Sequence, residues 1–137
     1  MLIAAFNGEP EFRDCALALL SEPNIEFWYS PLLKLEVVLQ PAHRGHTLEL
    51  QFYNTYFKNA QCWGDLNRIL EIGEKEAIRH GISVLDALHL AAANLSRCKV
   101  FVTTEKISKP IFKTKLVKVV SIIGTRFSPL QKLLAAP

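Results

Sequence analysis

Cysteine is scarce and poorly placed for cross-linking in this 137-residue chain: Cys15, Cys62 and Cys98 are odd in number and far apart. That spacing fits neither a disulfide framework nor a zinc motif, and it points to reduced thiols in a cytoplasmic protein. Long apolar runs are lacking too, since none approaches the roughly 20 residues that a bilayer span needs. The opening Met1-Leu2-Ile3-Ala4-Ala5-Phe6 has no basic flank and is too short for a signal peptide. Nor is there a phosphate-binding glycine loop, and no Cys or Ser stands in a nucleophile context with a His partner. A disulfide scaffold, a membrane span, a P-loop nucleotide enzyme and a Ser- or Cys-nucleophile hydrolase are thereby disfavoured together.

Acidic residues are almost missing from one stretch. Residues 97–137 hold nine Lys/Arg and one acid, Glu105, whereas residues 1–96 hold seven Lys/Arg and twelve Asp/Glu. The net charge of +3 therefore conceals a basic C-terminal segment. Such a segment serves either as a solvated surface or as an attractor for a phosphate backbone. With 50% hydrophobic and 21% charged residues, the composition is that of a single globular domain over 1–137, large enough for a sizeable core.

Hydrophobic spacing predicts a helix over 9–21, a strand over 25–29, and a helix that Ser30-Pro31 starts and Pro41 stops. Further helices are expected over 46–58, over 66–80 with Gly81 as C-terminal cap, and over 83–96. A short strand at 61–63, a strand at 99–103 and a last strand at 116–122 complete the pattern. Because the strands at 25–29 and 100–103 lack polar-out alternation, the expected class is α/β, with a mostly parallel sheet covered by helices. Ligands in such folds bind beyond the carboxyl ends of the strands.

The helix Ser83-Val84-Leu85-Asp86-Ala87-Leu88-His89-Leu90-Ala91-Ala92-Ala93 is apolar nearly all round, yet carries Asp86 in its first turn. A buried carboxylate needs a partner, a donor network or a metal. Glu36 stands in the second turn of the helix after the strand at 25–29, and Glu105 directly follows the strand ending at Thr103-Thr104. Three carboxylates converging at one sheet edge would require a cation, and hard oxygen ligands suit Mg2+ or Mn2+. Each residue also has a plainer reading. Ser83-x-x-Asp86 matches a capping box, Glu36 can pair with Lys34 or Arg44, and Glu105 can be a loop acid beside Lys106. His43 and His46 read as solvated, His89 as a packing residue able to bond a neighbour, and Phe52, Tyr53, Tyr56 and Phe57 as core or dimer interface.

The helix around Asp86, followed by Phe101-Val102-Thr103-Thr104-Glu105-Lys106, closely resembles the PIN domain, which includes the VapC-type toxins of bacterial toxin–antitoxin pairs. Ser30-Pro31-Leu32-Leu33-Lys34-Leu35-Glu36 is similar to an earlier segment of that family, and Leu2-Ile3-Ala4-Ala5-Phe6 to the tail of its first motif. The resemblance implies a three-layer α/β/α sandwich with a mostly parallel sheet, and divalent-metal-dependent hydrolysis of RNA; the sequence leaves single-stranded DNA open as an alternative substrate. It places Glu36, Asp86 and Glu105 on the family's acidic positions as catalytic ligands of Mg2+ or Mn2+. Ser30 and Thr103 would fix those carboxylates. Lys106, Lys109, Lys113 and Lys115 would grip the RNA backbone without sequence choice. A homodimer and a protein antitoxin are implied as well.

Two departures stand against the family pattern. The family's first strand ends in an aspartate just before the segment matched by Leu2-Ile3-Ala4, and the sequence begins after that point. The expectation is a truncated first strand, with that strand and its aspartate upstream in the natural protein. A degenerate PIN-like module that binds nucleic acid without cleaving it is the alternative. The second departure is Glu105, where aspartate is commoner; the extra methylene shifts the carboxylate but keeps its charge. An unrelated flavodoxin-like or nucleotide-binding domain is a third reading, disfavoured by the missing phosphate loop.

Overall fold

A computed structural model of the chain describes residues 1–122. Six helices alternate with four short strands: α1 (Leu2–Asn7), α2 (Pro10–Leu20), β1 (Trp28–Tyr29), α3 (Pro31–Arg44), α4 (Thr47–Asn59), β2 (Gln61–Cys62), α5 (Leu66–His80), α6 (Val84–Leu95), β3 (Val100–Thr103) and β4 (Lys118–Ser121). A 3-10 turn, Pro110–Lys113, lies between β3 and β4. The chain is thus mixed α/β with parallel strand pairing, as its alternation of elements predicts. Among the described residues no helix is long and apolar enough to cross a membrane.

The strands form two separate pairs where the sequence predicts one sheet. β1 pairs in parallel with β2, Trp28 opposite Gln61 and Tyr29 opposite Cys62. β3 pairs in parallel with β4, from Val100 opposite Lys118 to Thr103 opposite Ser121. Among the described residues no strand joins the pairs, so packing rather than a hydrogen-bond ladder links them. Helix α6 supplies that link, because it packs on α5 and touches both β1 and β3.

Its sequence explains why. Ala87, Leu90 and Ala91 are wholly buried, and the small alanines let neighbouring elements approach closely. On α5 the matching position is Gly73, where a Cβ would stand 2.7 Å from Leu88 Cδ2. Gly81 then ends α5 at φ 66°, a left-handed position that glycine adopts without strain. Leu90 joins Ile82, Ala87, Ile111 and Val117 in an aliphatic core, with Phe101 and Val119 packed against it.

The other large core is aromatic. Leu2, Val37, Tyr53 and Phe57 are buried together, with Phe6, Tyr29, Phe52 and Tyr56 around them. The aromatic set of α4 is therefore core. Glu49 ties this core to α1, accepting hydrogen bonds from Tyr53 Oη at 2.7 Å and Asn7 Nδ2 at 2.9 Å.

Three local expectations change. Residues 2–7, given no element by hydrophobic spacing, form α1 because Leu2 and Ala5 bury against α2 and α4. Pro41 does not stop α3, which continues one turn to Gly45. A proline removes one helical donor, a loss offset here by burial of its ring and by a bond from His46 N–H to Pro41 O at 2.9 Å. Finally, β1 is shorter than the predicted 25–29: Trp28 and Tyr29 stand in register with β2, and Phe27 adds only its carbonyl, which accepts from Gln61 N–H at 2.8 Å.

Candidate functional site

The first turn of α6 presents Asp86 to a pocket of about 360 Å³ that also contains Glu105 and Lys109. Gly81, Ile82 and Ser83 form one wall, from the turn between α5 and α6; Pro110 and Ile111 form the other. Ser83 is the N-cap residue of α6, but its side chain makes no capping bond, so the capping box is not formed. Asp86 is half-buried, and among the described residues its carboxylate accepts no hydrogen bond and joins no ion pair. A carboxylate there complements the partial positive charge of the helix N-terminus.

Glu105 is set by its backbone. Its N–H donates to Thr103 Oγ1 at 3.1 Å, and its carbonyl accepts from Ser121 Oγ at 2.6 Å. Thr103 and Ser121 are both buried at the ends of β3 and β4, so the strand pair fixes where Glu105 leaves the sheet. Thr103 thus holds the Glu105 backbone rather than its carboxylate.

Glu36 stands apart from this pocket. Its Oε2 lies 2.6 Å from His89 Nε2, across 53 positions of sequence. Neither Lys34 nor Arg44 is its partner. His89 is one turn along α6 from Asp86, so Glu36 meets the same helix about 5 Å further along its axis. Glu36 also acts on the Met1 amino group. Burial pulls that group below its usual range, and the Glu36 carboxylate opposes the shift. Ser30 is buried and caps α3, its Oγ accepting from Leu33 N–H at 3.4 Å; it fixes the helix that carries Glu36.

The three predicted acids are accordingly divided into a pair, Asp86 and Glu105, and Glu36 engaged with His89. Among the described residues no group of three or more His, Cys, Asp or Glu is close enough to hold a metal ion. The pair alone is still a suitable donor set for a hard cation, because Mg2+ commonly uses one or two carboxylates and completes its shell with water and phosphate oxygens.

Lys106, Lys109, Lys113 and Lys115 are all exposed on the segment that leads from Glu105 through the 3-10 turn. This arch is anchored in its middle by Ile111, 2% exposed in the aliphatic core. Spacing alone missed Glu76. It is 3% exposed on α5, accepts a 2.6 Å hydrogen bond from Thr114 Oγ1 and lies 3.4 Å from His80 Nε2. The signal was available, since Glu76 falls on the Ile69–Gly73 stripe that α5 buries. Compared with protein-family models, curated proteins and solved structures, the chain matches none.

Proposed function

We propose that this chain is a divalent-metal-dependent endoribonuclease of PIN type, built as a three-layer α/β/α sandwich and acting in the manner of toxin–antitoxin ribonucleases. The observation that carries the reading is the pocket that Asp86 and Glu105, both without side-chain partners among the described residues, share with Lys109, on a segment that also carries three further exposed lysines. Two unneutralised carboxylates beside a phosphate-attracting surface make sense if a cation and a phosphodiester meet there. A strand between β1 and β3 would convert the two parallel pairs into the single sheet of that architecture.

In this reading Asp86 and Glu105 hold Mg2+ or Mn2+, while Glu36, bonded to His89 one turn along α6, would join them as a third acid only on leaving His89. The ion supplies charge to polarise the phosphate and to acidify water. Lys109 offers its ammonium to the phosphate at the pocket, while Lys106, Lys113 and Lys115 bind neighbouring phosphates. Such contacts give affinity without base choice and weaken steeply with salt. Single-stranded DNA presents the same backbone and is the competing substrate. The homodimer, the antitoxin and a cytoplasmic setting belong to the same proposal.

The test is incubation of the purified chain with a structured RNA and Mn2+, with EDTA and Asp86→Asn as controls. The expected result is cleavage that EDTA abolishes and that Asp86→Asn reduces by about two orders of magnitude or more. Cleavage that survives Asp86→Asn removes Asp86 from the mechanism. A second reading, a PIN-like module that binds RNA without cutting it, is favoured by the Glu36–His89 bond, which engages one acid away from the pair. It predicts salt-sensitive RNA binding that neither metal nor EDTA changes.

A further inference from the structure

The arch of residues 106–115 is pinned at both ends. At its start, Thr103 and Ser121 hold the backbone of Glu105. At its end, Thr114 Oγ1 donates to Glu76 Oε1 at 2.6 Å and accepts from Leu116 N–H at 3.1 Å, while Asn94 Nδ2 donates to Leu116 O at 2.8 Å. Helix α5 therefore reaches the arch, and α6 the residue just beyond it, each through one polar side chain. Glu76 is the unusual one: a carboxylate 3% exposed, in the stripe of α5 that otherwise packs Ile69 and Gly73. Placing a carboxylate there is costly, and an apolar residue would fill the same stripe more cheaply. Its two neighbours, Thr114 and His80, account for Oε1, and Thr114 directly follows the 3-10 turn whose Pro110 and Ile111 wall the Asp86–Glu105 pocket.

We propose that Glu76 is a latch. Acting through the Thr114 hydroxyl, it sets the position of the lysine-bearing arch over the Asp86–Glu105 pocket, and is a positioning residue rather than a catalytic one. The latch itself depends only on the fold; its consequence for RNA rests on the function proposed above. Ile111 supplies burial for the arch without direction, whereas the short Thr114–Glu76 bond fixes one geometry.

The experiment compares wild type with Thr114→Val, which removes the hydroxyl at nearly constant shape, and with Thr114→Ser, which keeps it. Backbone amide exchange is measured along the chain, with the α4 amides around Tyr53 as internal reference. The expected result is exchange at least about tenfold faster over residues 106–116 in Thr114→Val, with α4 unchanged and Thr114→Ser near wild type, as for local opening after loss of a bond to a charged group. Unchanged exchange over the arch, an equal rise in α4, or a Thr114→Ser variant as fast as Thr114→Val would overturn the latch. RNA binding by the same variants, read by fluorescence anisotropy at low salt, separates the two claims. Weaker binding by Thr114→Val restored in Thr114→Ser supports both. A faster-exchanging arch with wild-type RNA affinity upholds the latch and counts against the lysines as the RNA contact.

Discussion

The aromatic half of the molecule and its aliphatic half treat charge in opposite ways. Around Tyr53 and Phe57, the carboxylate of Glu49 is saturated by Tyr53 Oη, Asn7 Nδ2 and His46 Nδ1. Around Leu90 and Ile111, Asp86 and Glu105 share a pocket with Lys109, neither acid has a side-chain partner among the described residues, and the segment after Glu105 carries four exposed lysines. Carboxylates that are satisfied internally hold elements together. Under the proposed function, those left without partners on a segment rich in lysine are the ones that meet a cation and a phosphate. Glu76 and Glu36 sharpen the contrast, because both lie near the aliphatic half yet are engaged, one with Thr114 and the other with His89.

Substitutions can break this comparison, and the largest effect is expected in the aliphatic core. Leu90→Ala removes a fully buried side chain from the helix that links both strand pairs, and should lower stability by about 2–5 kcal/mol in thermal or urea unfolding. Tyr53→Phe should cost about 1–2 kcal/mol, because it removes one donor from Glu49 inside the aromatic half. Against these, Asp86→Asn and Glu105→Gln should each change stability by no more than about 0.5 kcal/mol, since among the described residues neither carboxylate has a side-chain partner to lose. A loss as large as that of Tyr53→Phe in either variant would show that the pair is structural.

Alkaline titration reads the aromatic half alone. All three tyrosines are pushed above their ordinary value of 10.0, Tyr53 and Tyr56 first by burial and Tyr29 by burial and the neighbouring Cys62. A tyrosine whose folded pKa is raised stabilises the fold while it stays protonated, and that contribution is lost as pH rises beyond the unfolded value. Tyrosinate absorbance should therefore stay low as pH passes 10.0 and rise together with unfolding. Half-ionisation near 10.0 in a chain that is still folded would contradict the packing described for these rings.

The parts legible in the sequence are those governed by near neighbours. Ser30 before Pro31 foretold the start of α3, Gly81 the end of α5, and the run from Val84 to Leu95 a helix buried on most sides. The pairing of Asp86 with Glu105 was legible in part, because each acid sits at a boundary of its own element: a first helical turn and the exit of a strand. The partner of Glu36 was not, since His89 is brought to it by packing of α3 near α6 rather than by spacing. Spacing does not show that α3 runs through Pro41, because the burial that offsets a proline's local cost is set by packing. The division of the strands into two pairs was equally hidden, for pairing depends on which backbones meet and not on the composition of either strand.

Binding of Mn2+ to the intact chain, followed by electron paramagnetic resonance or calorimetry, decides whether Asp86 and Glu105 are ligands. The expected result is binding that Asp86→Asn and Glu105→Gln each weaken at least about tenfold, while Glu49→Gln leaves it unchanged in a folded chain. Mn2+ affinity that is the same in wild type, Asp86→Asn and Glu105→Gln would contradict it.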